Sequence, residues 1–277
     1  MKYRLIVSDI DGTLTEVWDQ VNDRNRQVLK RLVKKGVAFM IATGRSFKTA
    51  ESILKSLDIP CYACLMNGAV LLSYPERKLI YTNYISVDEK NLIMEKIQKF
   101  GGHAVIYNGY ERGDKIYYNE NYRLNPVLDK IINSSINRRI QVGNMIKDIN
   151  HPVPVISCVG EEEEIDTIQN LLEPYQDKFN ILKLKENYYE DFFWLMITRK
   201  GVDKVHGIKY VAKQLRIRRE EIIAIGDDLN DLEMIKYAGL GIAMENGVDE
   251  LKAVADMIAP PCTEDGMALI LEEIYSI

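Results

Sequence analysis

The chain opens on an apolar run that ends in acid, Leu5-Ile6-Val7-Ser8-Asp9-Ile10-Asp11-Gly12-Thr13-Leu14-Thr15. A continuous apolar segment this short reads as a buried strand of a parallel sheet, because a strand covered on both faces has no polar side to alternate with. Its carboxyl end delivers two carboxylates and a glycine turn, and ligands in open α/β sheets bind at that edge. In continuous strand geometry Asp9 and Asp11 share a face, and Gly12 lets the backbone turn tightly around whatever they hold. Two close carboxylates repel, and a bound cation relieves the repulsion. An isolated Asp-x-Asp-Gly is equally readable as a plain turn after a strand, so the test is whether matching pieces follow downstream.

Residues 23–35 place Val28, Leu29, Leu32 and Val33 on one helical stripe, and Gly36 supplies a stop. Residues 37–42 form a second apolar strand that ends in Thr43-Gly44-Arg45-Ser46, followed by a helix over 47–57 with Ile53, Leu54 and Leu57 inward. Pro60 begins a third strand, 61–66, which ends at Asn67-Gly68, and a hairpin of 69–72 and 78–85 turns at Pro75-Glu76-Arg77. This β-α-β-α alternation implies a parallel sheet with right-handed crossovers. The rhythm returns where Asp203 can cap a helix carrying Ile208, Val211, Ala212 and Leu215. Residues 221–225 are then a buried strand ending in Gly226-Asp227-Asp228-Leu229-Asn230-Asp231, the matching acidic tip. A strand at 240–244 ends in Glu245-Asn246-Gly247, and a helix at 248–255, a short strand at 257–259 and a helix at 266–275 close the chain.

Between these halves the pattern changes. A helix over 87–100 stops at Gly101-Gly102, strands at 103–107 and 115–119 flank the Asn108-Gly109 turn, and 120–136 reads as mostly helical. A strand at 153–159, a helix at 161–175 with acids in its first turn, and strands at 179–185 and 192–198 follow. That order predicts an α+β unit with a largely antiparallel sheet. The expected fold class is therefore α/β: a Rossmann-like parallel-sheet core of residues 1–83 and 199–277, with an inserted α+β domain at 84–198.

The net charge of −5 and the lack of any long basic block speak against a nucleic-acid or membrane surface. No apolar run approaches the roughly 20 residues needed to span a bilayer, and the first ten residues already form a strand, so a cytoplasmic location is expected. Cys61-Tyr62-Ala63-Cys64 has metal or redox spacing but no second pair to complete four ligands, so Cys61, Cys64, Cys158 and Cys262 read as buried thiols. His103, His151 and His206 lack neighbours at ligand or base spacing and read as surface or core residues.

If the strands are parallel neighbours, the sets Asp9/Asp11, Thr43/Gly44 and Asp227/Asp228/Asn230/Asp231 converge on one edge. Several carboxylates suit a hard divalent cation, and Mg²⁺ fits because it keeps waters and recruits phosphate oxygens. Hydroxyl, amide and ammonium donors suit the phosphate, with Lys204 supplying positive charge. Asp-x-Asp-Gly-Thr at 9–13, Thr43, Lys204 and Gly-Asp-x-x-Asn-Asp at 226–231 resemble the four motifs of the haloacid dehalogenase superfamily. Thr43-Gly44-Arg45, Asn67-Gly68-Ala69, Ala243-Met244-Glu245-Asn246 and Glu264-Asp265-Gly266 further resemble its Cof-like hydrolase branch, and the position of the insertion resembles that branch's C2-type cap.

The resemblance implies that Asp9 is a nucleophile forming an aspartyl-phosphate and that Asp11 is the acid and then the base. It implies Mg²⁺ held by the Asp9 carboxylate, the Asp11 carbonyl and Asp227, with Asp231 behind them. Thr43, Gly44, Lys204 and Asn230 would cradle the phosphoryl oxygens. Simpler readings stand beside these: Thr43 as a helix cap, Lys204 as a solvated lysine, Asp228 as a surface acid. Lys204-Val205-His206-Gly207 also departs from the family's usual lysine-glycine pair. Tyr107, Tyr117, Tyr118, Tyr122, Tyr188 and Tyr189 can line a substrate pocket or pack between strands. The expected function is a Mg²⁺-dependent phosphatase of a small phosphorylated metabolite, sugar phosphates first, whose cap closes over the site. The expected assembly is a monomer or homodimer. A phosphomannomutase-like mutase and a non-catalytic phosphometabolite sensor are the alternatives.

Overall fold

The computed structural model describes residues 1–16, 20–120, 125–186 and 189–277. Tyr122 and Tyr188, both candidates above, lie outside the described residues.

β1 (Leu5–Ser8) is buried along its length. α1 (Asp23–Lys34) starts on Asn22, whose side chain accepts from the Asn25 amide, a cap that contributes about 1 kcal/mol. Its Val28, Leu29 and Leu32 are buried, each stabilising the chain by roughly 1.5–3 kcal/mol. β2 (Ala38–Ala42), α2 (Phe47–Leu57), β3 (Cys61–Leu65), β4 (Val70–Tyr74) and β5 (Lys78–Thr82) follow. Next come α3 (Val87–Phe100), β6 (Ala104–Tyr107), β7 (Ile116–Tyr118), α4 (Pro126–Ser134), β8 (Arg139–Gln141), β9 (Ile156–Glu161), α5 (Glu162–Leu172), β10 (Phe179–Lys185) and β11 (Phe192–Arg199). The chain ends with α6 (Lys204–Leu215), β12 (Ile222–Gly226), α7 (Leu232–Tyr237), β13 (Leu240–Met244), α8 (Asp249–Lys252), β14 (Met257–Ala259) and α9 (Gly266–Tyr275).

Two units result, Met1–Tyr81 with Asp203–Ile277, and Thr82–Val202. In the first, one sheet has the order β14-β13-β12-β1-β2-β3-β4-β5. The strands from β14 to β3 pair in parallel, and β4 turns back antiparallel on β3. Strand order reverses at β1, which has β12 on one side and β2 on the other. That is the switch point at which the loops leaving neighbouring strands diverge and open a crevice.

The second unit is a sheet of order β10-β11-β9-β6-β7-β8, antiparallel except for β7 and β8. One face buries Ile93, Ile97, Ile165 and Ile168 of α3 and α5 against Ile106, Cys158 and Leu195. The other packs Val127, Leu128 and Ile132 of α4 on Val105, Ile116 and Val159. Both units are α-and-β structures of the class expected from the sequence pattern.

Several details differ from the sequence pattern. Of the helix expected over 120–136, residues 121–124 lie outside the described residues; α4 starts at Pro126, whose fixed φ and missing N–H suit a first helical position, with Asn125 accepting from the Val127 and Leu128 amides, and ends at Ser134. The Asn108-Gly109 pair does not form a two-residue hairpin; an eight-residue connection spans 108–115 and includes a tight turn at Tyr110–Arg112. The helix expected at 248–255 shortens to α8. β8 and α7 are elements the pattern did not single out.

Candidate active site

Two strand ends of the parallel sheet and the first turn of a helix bring charged side chains into one cluster. β1 delivers Asp9, β12 delivers Asp227 and, through the tight turn Leu229–Asp231, Asp231; Lys204 enters from the first turn of α6. Carboxylate oxygens of Asp9, Asp227 and Asp231 lie within 4.8 Å of one another. The Lys204 Nζ donates to Asp9 Oδ1 at 2.8 Å and to Asp231 Oδ1 at 2.5 Å. Asp9, Lys204 and Asp231 are all buried.

Asp231 organises its own turn: its Oδ2 accepts from the Asp227 and Asp228 amides at 3.0 and 3.2 Å. Asp228 caps the same turn through the Leu229 amide instead of joining the cluster. Asp227 Oδ1 accepts from the Thr13 hydroxyl at 2.6 Å. Gly12 has φ +72°, and a Cβ there would stand 2.2 Å from Asp227 Oδ2, so glycine is required both by conformation and by the closeness of that carboxylate.

One ammonium among three carboxylates leaves excess negative charge in a dry place. Burial pushes Asp9 well above the ordinary carboxylate range; Lys204 opposes the shift, while Asp231 and Asp227 add to it. Asp227 is pushed up to about 7, chiefly by burial, against the Thr13 hydrogen bond and with Asp231 adding. Burial by itself would lower Lys204, but Asp231 and Asp9 outweigh it and hold the ammonium above its ordinary value. Such a cluster stabilises itself by taking up a proton or a cation. Its donors are all oxygen, which fits a hard divalent ion, and Asp9 and Asp227 are the residues with carboxylate oxygens to offer it. Asp231 is already committed to Lys204 and two amides.

Asp11 sits apart. Its half-exposed carboxylate faces Arg45, which donates from Nε at 2.8 Å and from Nη2 at 2.5 Å in a bidentate fork. The sequence marks Arg45 only as a cation after β2; the signal for its role as a partner was its place in Thr43-Gly44-Arg45. The Thr43 hydroxyl accepts from the Arg45 amide at 3.2 Å. It does not cap α2, where Ser46 is the cap residue. Lys204 is not a solvated lysine. Gly44 lies under the Asn67 side chain, and Asn230 Nδ2 donates to Asn67 Oδ1 at 3.4 Å. Asn246, given no role in the sequence beyond its place in Ala243-Met244-Glu245-Asn246, donates from Nδ2 to the Gly12 carbonyl at 2.8 Å and accepts at Oδ1 from the Cys262 amide at 2.9 Å, pinning the loop after β1 to the loop after β14.

The other candidates have structural places. All four cysteines are buried and unpaired, and burial pushes the Cys61 and Cys64 thiols up to about 12, where they are inert. His206 stacks edge-on against Tyr81, and His151 bonds the Tyr117 hydroxyl at 3.1 Å. Tyr118 is buried in the second unit with Tyr107 and Tyr189 packed beside it. No helix among the described residues is long and apolar enough to cross a membrane.

The family model of the haloacid dehalogenase-like hydrolases matches residues 6–271 of the chain. A 5-amino-6-(5-phospho-D-ribitylamino)uracil phosphatase of Bacillus subtilis is 25% identical over 275 residues, covering 99% of this chain and 98% of that protein. The crystal structure of a haloacid dehalogenase-like hydrolase from Bacteroides thetaiotaomicron superposes with a TM-score of 0.81 at 28% identity, over 99% of this chain and 100% of that one. A sugar phosphatase of subclass IIB shares the fold, with a TM-score of 0.76 at 24% identity over 99% and 100% of the two chains.

Proposed function

The chain belongs to the haloacid dehalogenase-like hydrolases, and from that membership we propose that it hydrolyses the phosphate monoester of a small phosphorylated metabolite, with phosphorylated sugars or sugar alcohols as the leading class. The observation that supports the reading is the buried convergence of Asp9, Asp227, Asp231 and Lys204 at the carboxyl edge of β1 and β12.

In this reading Asp9 is the nucleophile. One carboxylate oxygen stays on Lys204 while the other attacks phosphorus, forming the P–O bond of an aspartyl-phosphate as the bond to the leaving alcohol breaks. Asp11, two residues on, gives its proton to the departing oxygen and then takes one from the water that cleaves the acyl-phosphate, which returns Asp9 and releases inorganic phosphate. Asp11 must leave the Arg45 fork to do so, since both of its carboxylate oxygens are engaged there. Lys204, bonded to both Asp9 and Asp231, offsets part of their charge, so that an anion can approach an anion. Thr43, the Gly44 amide and Asn230 are the proposed donors to the phosphoryl oxygens. Asp9, the Asp11 carbonyl and Asp227 would hold Mg²⁺, which would supply the remaining charge neutralisation and help orient the phosphate. The inserted residues 84–198 are proposed as a C2-type cap that supplies the choice of leaving group.

The test is phosphate release from a panel of sugar phosphates, nucleotides, phosphoglycolate and pyridoxal phosphate, with Mg²⁺ and with EDTA. Release from phosphorylated sugars in Mg²⁺ and none in EDTA is expected. Binding without turnover across the panel would replace the enzyme by a sensor, and isomer formation from a hexose phosphate with a bisphosphate activator would replace hydrolysis by mutase chemistry.

A further inference from the structure

The turn that follows β3 joins three of the segments that carry the site, and its backbone is unusual. Met66, Asn67 and Gly68 all have positive φ, at 51°, 53° and 106°. Two successive side-chain-bearing residues in the left-handed region are costly, and such geometry persists only where the surroundings enforce it. The surroundings here are site loops. The Met66 amide donates to the Arg45 carbonyl and the Asn67 amide to the Thr43 carbonyl, each at 3.0 Å. Gly68 presses on Asp203, the residue that caps α6 ahead of Lys204; a Cβ at Gly68 would come within 2.2 Å of its carbonyl oxygen.

The Asn67 side chain reaches the remaining segment. Its carboxamide lies across Gly44, with Oδ1 3.4 Å and Nδ2 3.6 Å from where a Cβ at Gly44 would stand. Its Oδ1 accepts from Asn230 Nδ2 at 3.4 Å, a long bond. The Asn230 Oδ1 is buried and has no partner among the described residues, so the contact with Asn67 is what orients that carboxamide. A partly buried amide pair with a stretched bond and an open acceptor is an unfinished network, the kind that tightens when a ligand completes it.

We propose that Asn67 is a positioning residue for phosphoryl recognition: by accepting one Nδ2 hydrogen of Asn230 and packing on Gly44, it directs the second Asn230 N–H and the Gly44 amide to the phosphoryl oxygens. Asn67 acts through those two groups and does not touch the substrate. The inference rests on the phosphatase reading of the same site and adds a residue to it.

Asn67→Gly tests it, since glycine accepts φ near +53° and removes only the side chain. The parent, Asn67→Gly, Asn230→Ala and the double variant are assayed with p-nitrophenyl phosphate in saturating Mg²⁺, and inorganic phosphate is measured as a competitive inhibitor. Asn67→Gly should raise KM and the inhibition constant of phosphate about tenfold with kcat within about threefold, the effect of losing one hydrogen bond to a charged ligand. The double variant should lose clearly less than the product of the two single losses, because the Asn230 N–H is one of the two groups through which Asn67 acts. Unchanged phosphate inhibition in Asn67→Gly, or a double variant whose loss is the product of the single losses, would overturn the proposal. If Asn67→Gly melts more than about 5 °C below the parent, Asn67→Ser is read in the same cycle by the same criteria. A parent that releases no phosphate from any ester sinks the phosphatase reading and this inference together; an active parent with an additive cycle sinks this inference alone.

Discussion

Lys204 and Lys90, one in each unit, are the lysines buried among the described residues, and their partners differ in kind. Lys204 bonds two carboxylates and offsets one of their charges, within an acidic trio that still carries surplus negative charge. Lys90 donates to three neutral carbonyls, those of Met145, Ile146 and Ile149, at 2.8, 3.0 and 2.7 Å. The first arrangement is electrically incomplete, as a proposed place for a cation and a substrate has to be. The second is saturated: each ammonium hydrogen has an acceptor, and the loop before β9 is clipped to α3. Burial of a charge is thus no sign of function by itself; what matters is whether the partners leave anything over.

The hardest way to break that contrast is Asp9→Asn. The amide keeps an oxygen for Lys204 and removes one negative charge from an overcharged cluster, so the variant should fold with a melting temperature no lower than the parent's. It should lose phosphate release by three orders of magnitude or more, because an amide is not a nucleophile of this kind (roughly 10³-fold). Circular dichroism and single-turnover assays separate the two effects, and a rate near the parent's would take Asp9 out of the chemistry.

Metal withdrawal comes next. Chelation should lower turnover by about 10²-fold or more, and Mg²⁺ at a hundred times its dissociation constant should stabilise the parent by about 2.7 kcal/mol. Asp227→Asn keeps the acceptor for Thr13 yet removes a proposed ligand, so it should abolish that stabilisation. Calorimetry with and without Mg²⁺ decides, and an Asp227→Asn protein that still melts higher in Mg²⁺ would move the ion elsewhere.

The same contrast explains why the amino-acid sequence marks one unit's site and leaves the other unit unmarked. In the first unit, parallel strands all release their chains at one edge. An apolar run followed by Asp9-x-Asp11, Thr43-Gly44 or Asp227 through Asp231 therefore declares both an element and a site. In the second unit antiparallel strands end alternately at opposite edges, so strand tips do not converge and no polar set marks a place. β8 is three residues, Arg139–Gln141, with a single apolar residue, the partly buried Ile140, too little to announce it. α7 is only six residues and follows directly from the turn that Asp231 builds. The Asp11–Arg45 fork is hidden in the sequence because it depends on rotamers across β1 and β2, which spacing does not encode. The Asn67 turn is visible there as Asn-Gly but not as three consecutive residues with positive φ.

Lys90→Met sharpens the comparison from the structural side. Methionine fits the volume but leaves three buried carbonyls without a donor, a loss of about 2–4 kcal/mol. Thermal unfolding or hydrogen exchange over 87–100 and 142–150 should show it, while kcat on p-nitrophenyl phosphate stays within about twofold at a temperature where the variant is folded. A large kcat loss with intact protection would mean that the saturated lysine takes part in turnover after all.

The smallest effect is the pH dependence of the metal-free protein. An unfolded Asp227 ionises near 3.8, whereas the folded one holds its proton up to about 7. Below both values the two states are equally protonated and the group contributes no difference. As pH rises between them, the unfolded chain loses a proton that the folded chain keeps, so folding is progressively disfavoured, and above about 7 the penalty is constant. The shift alone converts to more, but sharing of the proton with Asp9 reduces the net penalty to on the order of 1–3 kcal/mol. Acids elsewhere titrate with the opposite sign, Glu51 and Glu221 among them, both held below the ordinary range by neighbouring Lys and Arg groups. The quantity to measure is therefore the difference between parent and Asp227→Asn in EDTA from about pH 4 to pH 8. The variant should gain on the parent as pH rises and level off near neutrality, and saturating Mg²⁺ should remove the parent's decline. A parent that gains on the variant over that range would mean that Asp227 is ionised in the folded, metal-free protein, and the cluster would then be as complete as the one around Lys90.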